Sequence, residues 1–257
     1  MVSLARQHYL RKIAGLGSAH AAALAGAPAE PAAAPNAGEY DLMVLKLRTD
    51  QVRLKALQSI EKRIELKREL LPEYAGWIQG RLDAAVDASR GVQDDVFMTI
   101  MLWRIDVGDF DGALPMAQYA LRFKLAMPEP FKRGVACIFA EEVAEAAIKL
   151  LAAGQPAPAV LAQVSELVDG HDMPDEVRAK VHKALGLEAA RVAGDEAACT
   201  ASGVPGAARI FKERALVELQ RALSLHAACG VKGEIKRLEK ELNKPTDPAG
   251  EEIAGQT

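Results

Sequence analysis

Aromatic residues make up only 5% of the 257 residues, and cysteine occurs three times, at Cys137, Cys199 and Cys229. The cysteines form no CxxC motif and no even set, which excludes a disulfide framework and predicts reduced thiols. Runs of β-branched residues are almost absent, and so is the strict apolar–polar alternation of a half-buried strand. A sheet-built fold is therefore excluded. No apolar run approaches the roughly 18–20 residues of a membrane span, so no membrane partner is expected. The Ala-rich start is not read as a signal peptide, because Ser18, His20 and Gly26 break it. No GxxxxGK[ST] loop is present, which excludes ATP hydrolysis of that kind, and neither GxSxG nor HExxH occurs. His8, His20, His171, His182 and His226 are never paired at i, i+4, and no cysteine lies at ligand spacing to one. No catalytic residue, no metal site and no cofactor is assigned on these grounds.

What is present is helix-forming material. The chain is 50% hydrophobic and rich in Ala, Leu, Glu, Lys and Arg, enough apolar surface for a packed core and too much for a disordered chain. Helical periodicity runs through nearly all of it, and an all-α fold is predicted. Residues 1–14 read as a short basic helix in which Leu4, Tyr9, Leu10 and Ile13 alternate with Arg6, Arg11 and Lys12. An Ala/Pro-rich linker follows over 15–38, where Pro28, Pro31 and Pro35 prevent continuous helix. Residues 39–71 contain neither Gly nor Pro and predict one long helix. A second helix returns after Pro72, giving a helical hairpin over 39–90. Along the long helix Leu47, Leu54, Leu57, Ile64 and Leu71 form a heptad-like seam and are the candidate oligomerisation residues. Leu42, Leu45, Val52, Ile60, Leu66 and Leu70 form a second stripe beside it. Two stripes fit either a helix shared between its own domain and a second copy, or a helix packed deeply in one domain. Asp50 and Glu61 interrupt the strict heptad.

Residues 91–242 predict a helical-repeat-like domain. Gly108-Asp109 separates two helices, the second carrying Ala113 and Ala120, in the manner of a tetratricopeptide pair. Gly194-Asp195, Ala215 and Ala222 suggest a diverged copy whose middle is longer. Further helices are expected near 134–153, 156–169 and 174–193, the last capped by Asp172, and over 231–242. Residues 243–257 read as a disordered tail.

Charge is divided along the chain. Residues 1–90 hold 13 Lys/Arg against 10 Asp/Glu, and residues 91–257 hold 19 against 25. A basic front suits a polyanion and an acidic back suits a protein. The candidate DNA-binding residues are Arg6, Arg11 and Lys12 in the first helix, with Lys46, Arg48, Arg53, Lys55, Lys62, Arg63, Lys67 and Arg68 in the long one. Three acidic clusters lie at Asp106/Asp109/Asp111, Glu141/Glu142/Glu145 and Asp169/His171/Asp172/Asp175/Glu176. Turn formation, a solvated helix face and a helix start explain them without a metal. Pro174-Asp175-Glu176 with Lys180 resembles a PD-(D/E)xK nuclease only superficially, since the spacing and the helix are wrong.

Four stretches carry a family resemblance: LKLRTDQVRLKALQSIEKRIELKRELLP in the long helix, VQDDVFMTIMLWRIDVGDFDGALPMAQYAL at 92–121, HDMPDEVRAKVHKALGL at 171–187 and GVKGEIKRLEKEL at 230–242. Together the chain resembles the terminase small subunit of temperate contractile-tailed phages, the GpM-like family. The resemblance implies recognition of concatemeric double-stranded viral DNA at the packaging site, in the host cell cytoplasm. It implies self-assembly into a homo-oligomeric ring and a large terminase subunit as partner, the latter carrying the motor and the cut. Relatives are commonly called terminase endonuclease subunits, but the family supplies no catalytic motif to place on these residues. Intrinsic cleavage and a purely protein-binding helical module remain the alternatives. The sequence departs from relatives in a longer stretch at 196–214 and in a tail without a Lys/Arg run.

Overall fold

The computed structural model describes residues 37–84, 90–129 and 131–244. The expected basic helix and nearly all of the linker lie outside the described residues, as does all but the start of the tail. Compact packing defines a unit from Glu39 onward. Every regular element among the described residues is helical, as the missing β-branched runs predicted.

The helix expected over 39–71 is two. Helix α1 (Ala37–Ala56) ends before a three-residue break, and α2 (Ile60–Leu70) starts anew. Ser59 causes the restart: its hydroxyl accepts from the Lys62 backbone N–H at 3.3 Å, as an N-cap does. The chain then tightens into a 3-10 turn (Leu71–Tyr74) at Pro72 before α3 (Ala75–Asp83). Helices α4 (Asp95–Asp106) and α5 (Phe110–Arg122) follow, then α6 (Val135–Ala152), α7 (Leu161–Leu167) and α8 (Asp175–Ala193). Helices α9 (Glu196–Ala201), α10 (Ala207–Leu225) and α11 (Lys232–Leu242) complete the described chain.

Helix α4 is apolar on every side and is the axis of the main core. Leu47, Leu54, Leu71, Tyr74 and Ile78 reach it from the N-terminal elements, and α5 to α8 close the other flanks. A smaller second core joins α8, α10 and α11 through Ala189, Ala215, Leu219, Val231, Ile235 and Leu238. Gly186 makes the α8–α10 approach possible: a Cβ there would lie 2.7 Å from Leu219 Cγ.

Both Gly-Asp pairs form turns with caps, but they do not mark equal repeats. Asp109 caps α5 through the Gly112 N–H, with Gly108 at φ 79°. Asp195 caps only the six-residue α9, and the helix carrying Ala215 and Ala222 begins after Gly203 and Gly206, both left-handed. Nor does Asp172 cap α8; Pro174 occupies that position with no side-chain bond, and Asp175 and Glu176 fill the first turn.

Two buried carboxylates tie the N-terminal elements to this core. Asp50, only 3% exposed, accepts from Lys46 Nζ at 2.7 Å, Tyr74 Oη at 2.8 Å and Arg53 Nη1 at 2.9 Å. Asp94, 1% exposed, accepts from Arg81 Nε at 2.7 Å and Trp77 Nε1 at 2.9 Å, and caps α4 through the Phe97 N–H at 3.0 Å. Burial pushes the Asp50 carboxyl up, but the bonds from Lys46, Tyr74 and Arg53 outweigh it and hold it below the usual carboxylate range. Burial, reinforced by Asp50, drives the Tyr74 phenol far above its ordinary value.

These shifts set the pH dependence. Asp50 is depressed in the fold, so its contribution is present above about pH 4 and is lost as pH falls through the lowered value. Tyr74 is raised, so its contribution holds below about pH 10 and declines above it. Chemical denaturation across pH should show stability falling at both ends. Asp50→Ala should cost about 3 kcal/mol, since Tyr74 and Lys46 lose their shared partner, and should remove most of the acid-side slope. An unchanged acid limb in Asp50→Ala would assign that slope to other carboxylates.

Candidate nucleic-acid and assembly surfaces

The candidate DNA-binding residues of the described chain divide into those held by the fold and those that project. Lys46 pairs with Asp50 and with Glu73 at 2.8 Å, and lies 4.3 Å from the Tyr74 ring centroid. Burial lowers its affinity for a proton, but the bonds to Asp50 and Glu73 prevail and raise it. It is a structural cation. Lys67, paired with Asp106, is likewise largely covered. Arg53 bonds Asp50 while half of its side chain stays in solvent. Arg63 and Arg68, both exposed, donate to the backbone carbonyls of Leu57 and Val107. Arg48, Lys55 and Lys62 are exposed, and Lys55 and Lys62 form no ion pair with a described residue. Arg6, Arg11 and Lys12 lie outside the described residues.

The break between α1 and α2 bends the chain so that Lys55, Arg63 and Lys67 line one cleft of about 490 Å³, with Thr99, Trp103 and the exposed Phe131 among the other lining residues. Asp106 and Glu129 also border it, so the cleft is mixed in charge with a cationic side.

The two apolar stripes differ in burial. Leu47, Leu54 and Leu71, proposed for self-association, are buried in the chain's own core, and Leu57 and Ile64 are half-buried. The side chains left in solvent belong to the second stripe: Leu42 67% exposed, Leu45 46%, Val52 67% and Ile60 72%. Within that stripe Leu70 is buried and Leu66 half-buried. On α1, Leu42, Leu45, Thr49, Val52 and Ala56 repeat at three- and four-residue steps, the spacing of a helix-pairing seam.

Two of the three acidic clusters are engaged by the chain's own lysines and arginines. Asp106 holds Lys67, Asp109 holds Arg104 and caps α5, and Glu141 holds both Arg133 and Lys180. Lys180 also reaches Glu145 at 2.6 Å. Burial raises the Glu141 carboxyl, but Lys180 and Arg133 outweigh it and hold it low. Arg178 donates to the His171 carbonyl at 2.7 Å in the third cluster. Among the described residues no three His, Cys, Asp or Glu side chains converge as a metal site would require.

In the sequence Asp50 reads only as an interruption of the heptad, and Asp94 does not stand out. For Asp50 a signal existed: it shares a face with Leu47 and Leu54, where a carboxylate is tolerated only with buried partners. Asp94 stands before the apolar run of α4 as a cap should. That Trp77 and Arg81 also serve it could not be read from spacing.

The sequence profile of the phage small terminase subunit matches residues 44–176. The chain is 41% identical over 249 residues to the "Terminase, endonuclease subunit" of Escherichia phage P2, covering 96% of this chain and 89% of that protein. It is 24% identical over 219 residues to the "Probable terminase, endonuclease subunit" of Haemophilus phage HP1 (strain HP1c1), covering 83% and 74%. No solved structure matches the chain.

The inner and outer stripes predict different fates for the same substitution. Leu45→Glu with Val52→Glu should leave circular dichroism and melting temperature near wild type while lowering the mass measured by light scattering. Leu54→Glu should instead unfold the N-terminal elements, since it buries an unpaired charge at a cost of several kcal/mol. An unchanged mass for the outer-stripe variant would remove α1 from any assembly.

Proposed function

The chain belongs to the phage small terminase subunit family, and from that premise we propose that it recognises concatemeric double-stranded viral DNA at the packaging site and recruits or regulates the large terminase subunit. The observation that carries the reading is the 41% identity to a phage P2 terminase subunit over nearly the whole chain. In this reading the protein works in the host cell cytoplasm as a homo-oligomeric ring. Among the described residues no helix is long and apolar enough to cross a membrane. The outer stripe of α1 supports self-association, because Leu42, Leu45 and Val52 stand in water there. The exposed cations Arg48, Lys55, Lys62, Arg63 and Arg68 support DNA contact. Each is modest in a single copy; repeated around a ring they sum to a polyanion site. The acidic net charge of residues 91–257 favours a protein partner for the C-terminal half.

A second reading has a specific motive: both relatives carry "endonuclease subunit" in their names. Lys67, Arg104, Arg133 and Lys180 engage carboxylates of two acidic clusters, and among the described residues no three His, Cys, Asp or Glu side chains converge as a metal site would require, which favours the non-catalytic reading.

Two measurements separate these. Retention of phage DNA should fall steeply with salt. Changing Lys55, Lys62 and Arg63 together to Ala should flatten the log–log slope by about 0.9 for each phosphate that is no longer neutralised. Arg6, Arg11 and Lys12 to Ala is the second set, and wild-type behaviour in both sets would place the DNA site elsewhere. Incubated with phage DNA and Mg²⁺ or Mn²⁺, the purified chain should leave the DNA intact. Cleavage abolished by Asp175→Ala or Asp109→Ala would establish the endonuclease reading instead.

A further inference from the structure

Helix α6 stops at Ala152, and Gly154 turns the chain away at φ 74°, whereas α8 continues to Ala193. Between the end of α6, the flank of α8 and the start of α11 lie two hollows of about 390 and 420 Å³. They share Ile148, Ala152 and Lys183 and so form one groove. It sits at the junction of the main and second cores. Ile148 packs on the first, and Leu187, Ala190 and Val231 belong to the second. A groove forms there because neither core extends far enough to fill the seam between them.

The charges around the groove do not balance. Lys180 is engaged by Glu141 and Glu145, Arg191 by Glu188, and Arg237 by Glu234 and Glu241. Glu176 lies 3.9 Å from His226. Two ammonium groups have no carboxylate. Lys149 is exposed and forms no ion pair with a described residue, and Lys183 donates only to the Cys229 backbone carbonyl, at 2.7 Å. An apolar floor with two uncompensated cations at its edge suits a helix that is apolar on one face and acidic beside it.

We propose that this groove seats an acidic amphipathic helix of the large terminase subunit. The proposal rests on the reading that the C-terminal half recruits that subunit, and it gives the surface and the chemistry of the contact. Lys149 and Ala152 are both exposed at the end of α6, so changing them leaves the two cores intact. Lys149→Glu removes the attraction and adds repulsion, Ala152→Trp fills the groove, and Lys149→Arg keeps the charge.

The test is binding of the full chain to the purified large terminase subunit of the same phage genome, by calorimetry at two salt concentrations, with mass and DNA retention measured in parallel. Lys149→Glu and Ala152→Trp should each weaken binding at least tenfold, with Lys149→Arg near wild type and with mass and DNA retention unchanged. Wild-type affinity for the large subunit in both variants would overturn the groove while leaving recruitment by another surface in place. A loss of mass in the variants, with large-subunit binding kept, would assign the groove to a second copy of this chain. Failure of the wild-type chain to bind the large subunit at all would overturn both the groove and the recruitment reading.

Discussion

The Asp50 carboxylate, out of solvent and bonded by Lys46, Arg53 and Tyr74, fixes how α1 lies against the rest of the molecule. Its partners come from its own helix and from the 3-10 turn, and Tyr74 also meets Trp103 of α4 edge-on, with ring centroids 5.9 Å apart. A charge so placed costs several kcal/mol unless every lone pair is satisfied, so few other rotations of α1 are tolerated. That rotation decides which stripe of the helix faces inward. Leu47 and Leu54 flank Asp50 and are buried with it; Leu42, Leu45 and Val52 are left outside. The cationic ends follow the same geometry: Lys46 and Arg53 are drawn to Asp50, and Arg48 and Lys55 remain exposed.

Asp94 performs the matching task one element later. Accepting from Trp77 and Arg81 while capping α4, it joins α3 to the helix at the centre of the core. Tyr40 stacks on Trp77 at 6.0 Å, and Arg81 lies 4.9 Å from the Trp77 ring, so α1, α3 and α4 meet at one polar and aromatic joint. The scarce aromatic residues are concentrated where they hold such joints. Tyr74, Trp77, Trp103 and Tyr119 all carry packing or hydrogen bonds between elements.

The surfaces proposed for function are those that this frame leaves uncovered. The outer stripe of α1, the cleft below the α1–α2 break and the groove at the end of α6 belong to different regions of one chain. The proposed reading thus assigns a neighbour, DNA and a second protein to three separate surfaces. The two cores explain the separation: the main core organises the N-terminal elements and α4 to α8, and the small α8–α10–α11 core extends beyond it.

The helical class, the Gly-Asp turns and the burial of Ala113, Ala120, Ala215 and Ala222 were legible in the sequence. They depend on local propensity and on periodicity, which act within a few residues. The family resemblance was legible too, because similarity spread along most of the chain needs no geometry. The break at residues 57–59 was not: Ser59 can sit mid-helix or cap one, and only packing selects the cap. Equally undetermined was which stripe of α1 turns inward, because periodicity fixes the angle between two stripes and not their orientation toward a core. Tertiary structure made that choice through Tyr74, 24 residues away from Asp50. It likewise set Lys46 and Lys67 to structural work, since a lysine's role depends on whether a distant carboxylate lies within reach of its side chain.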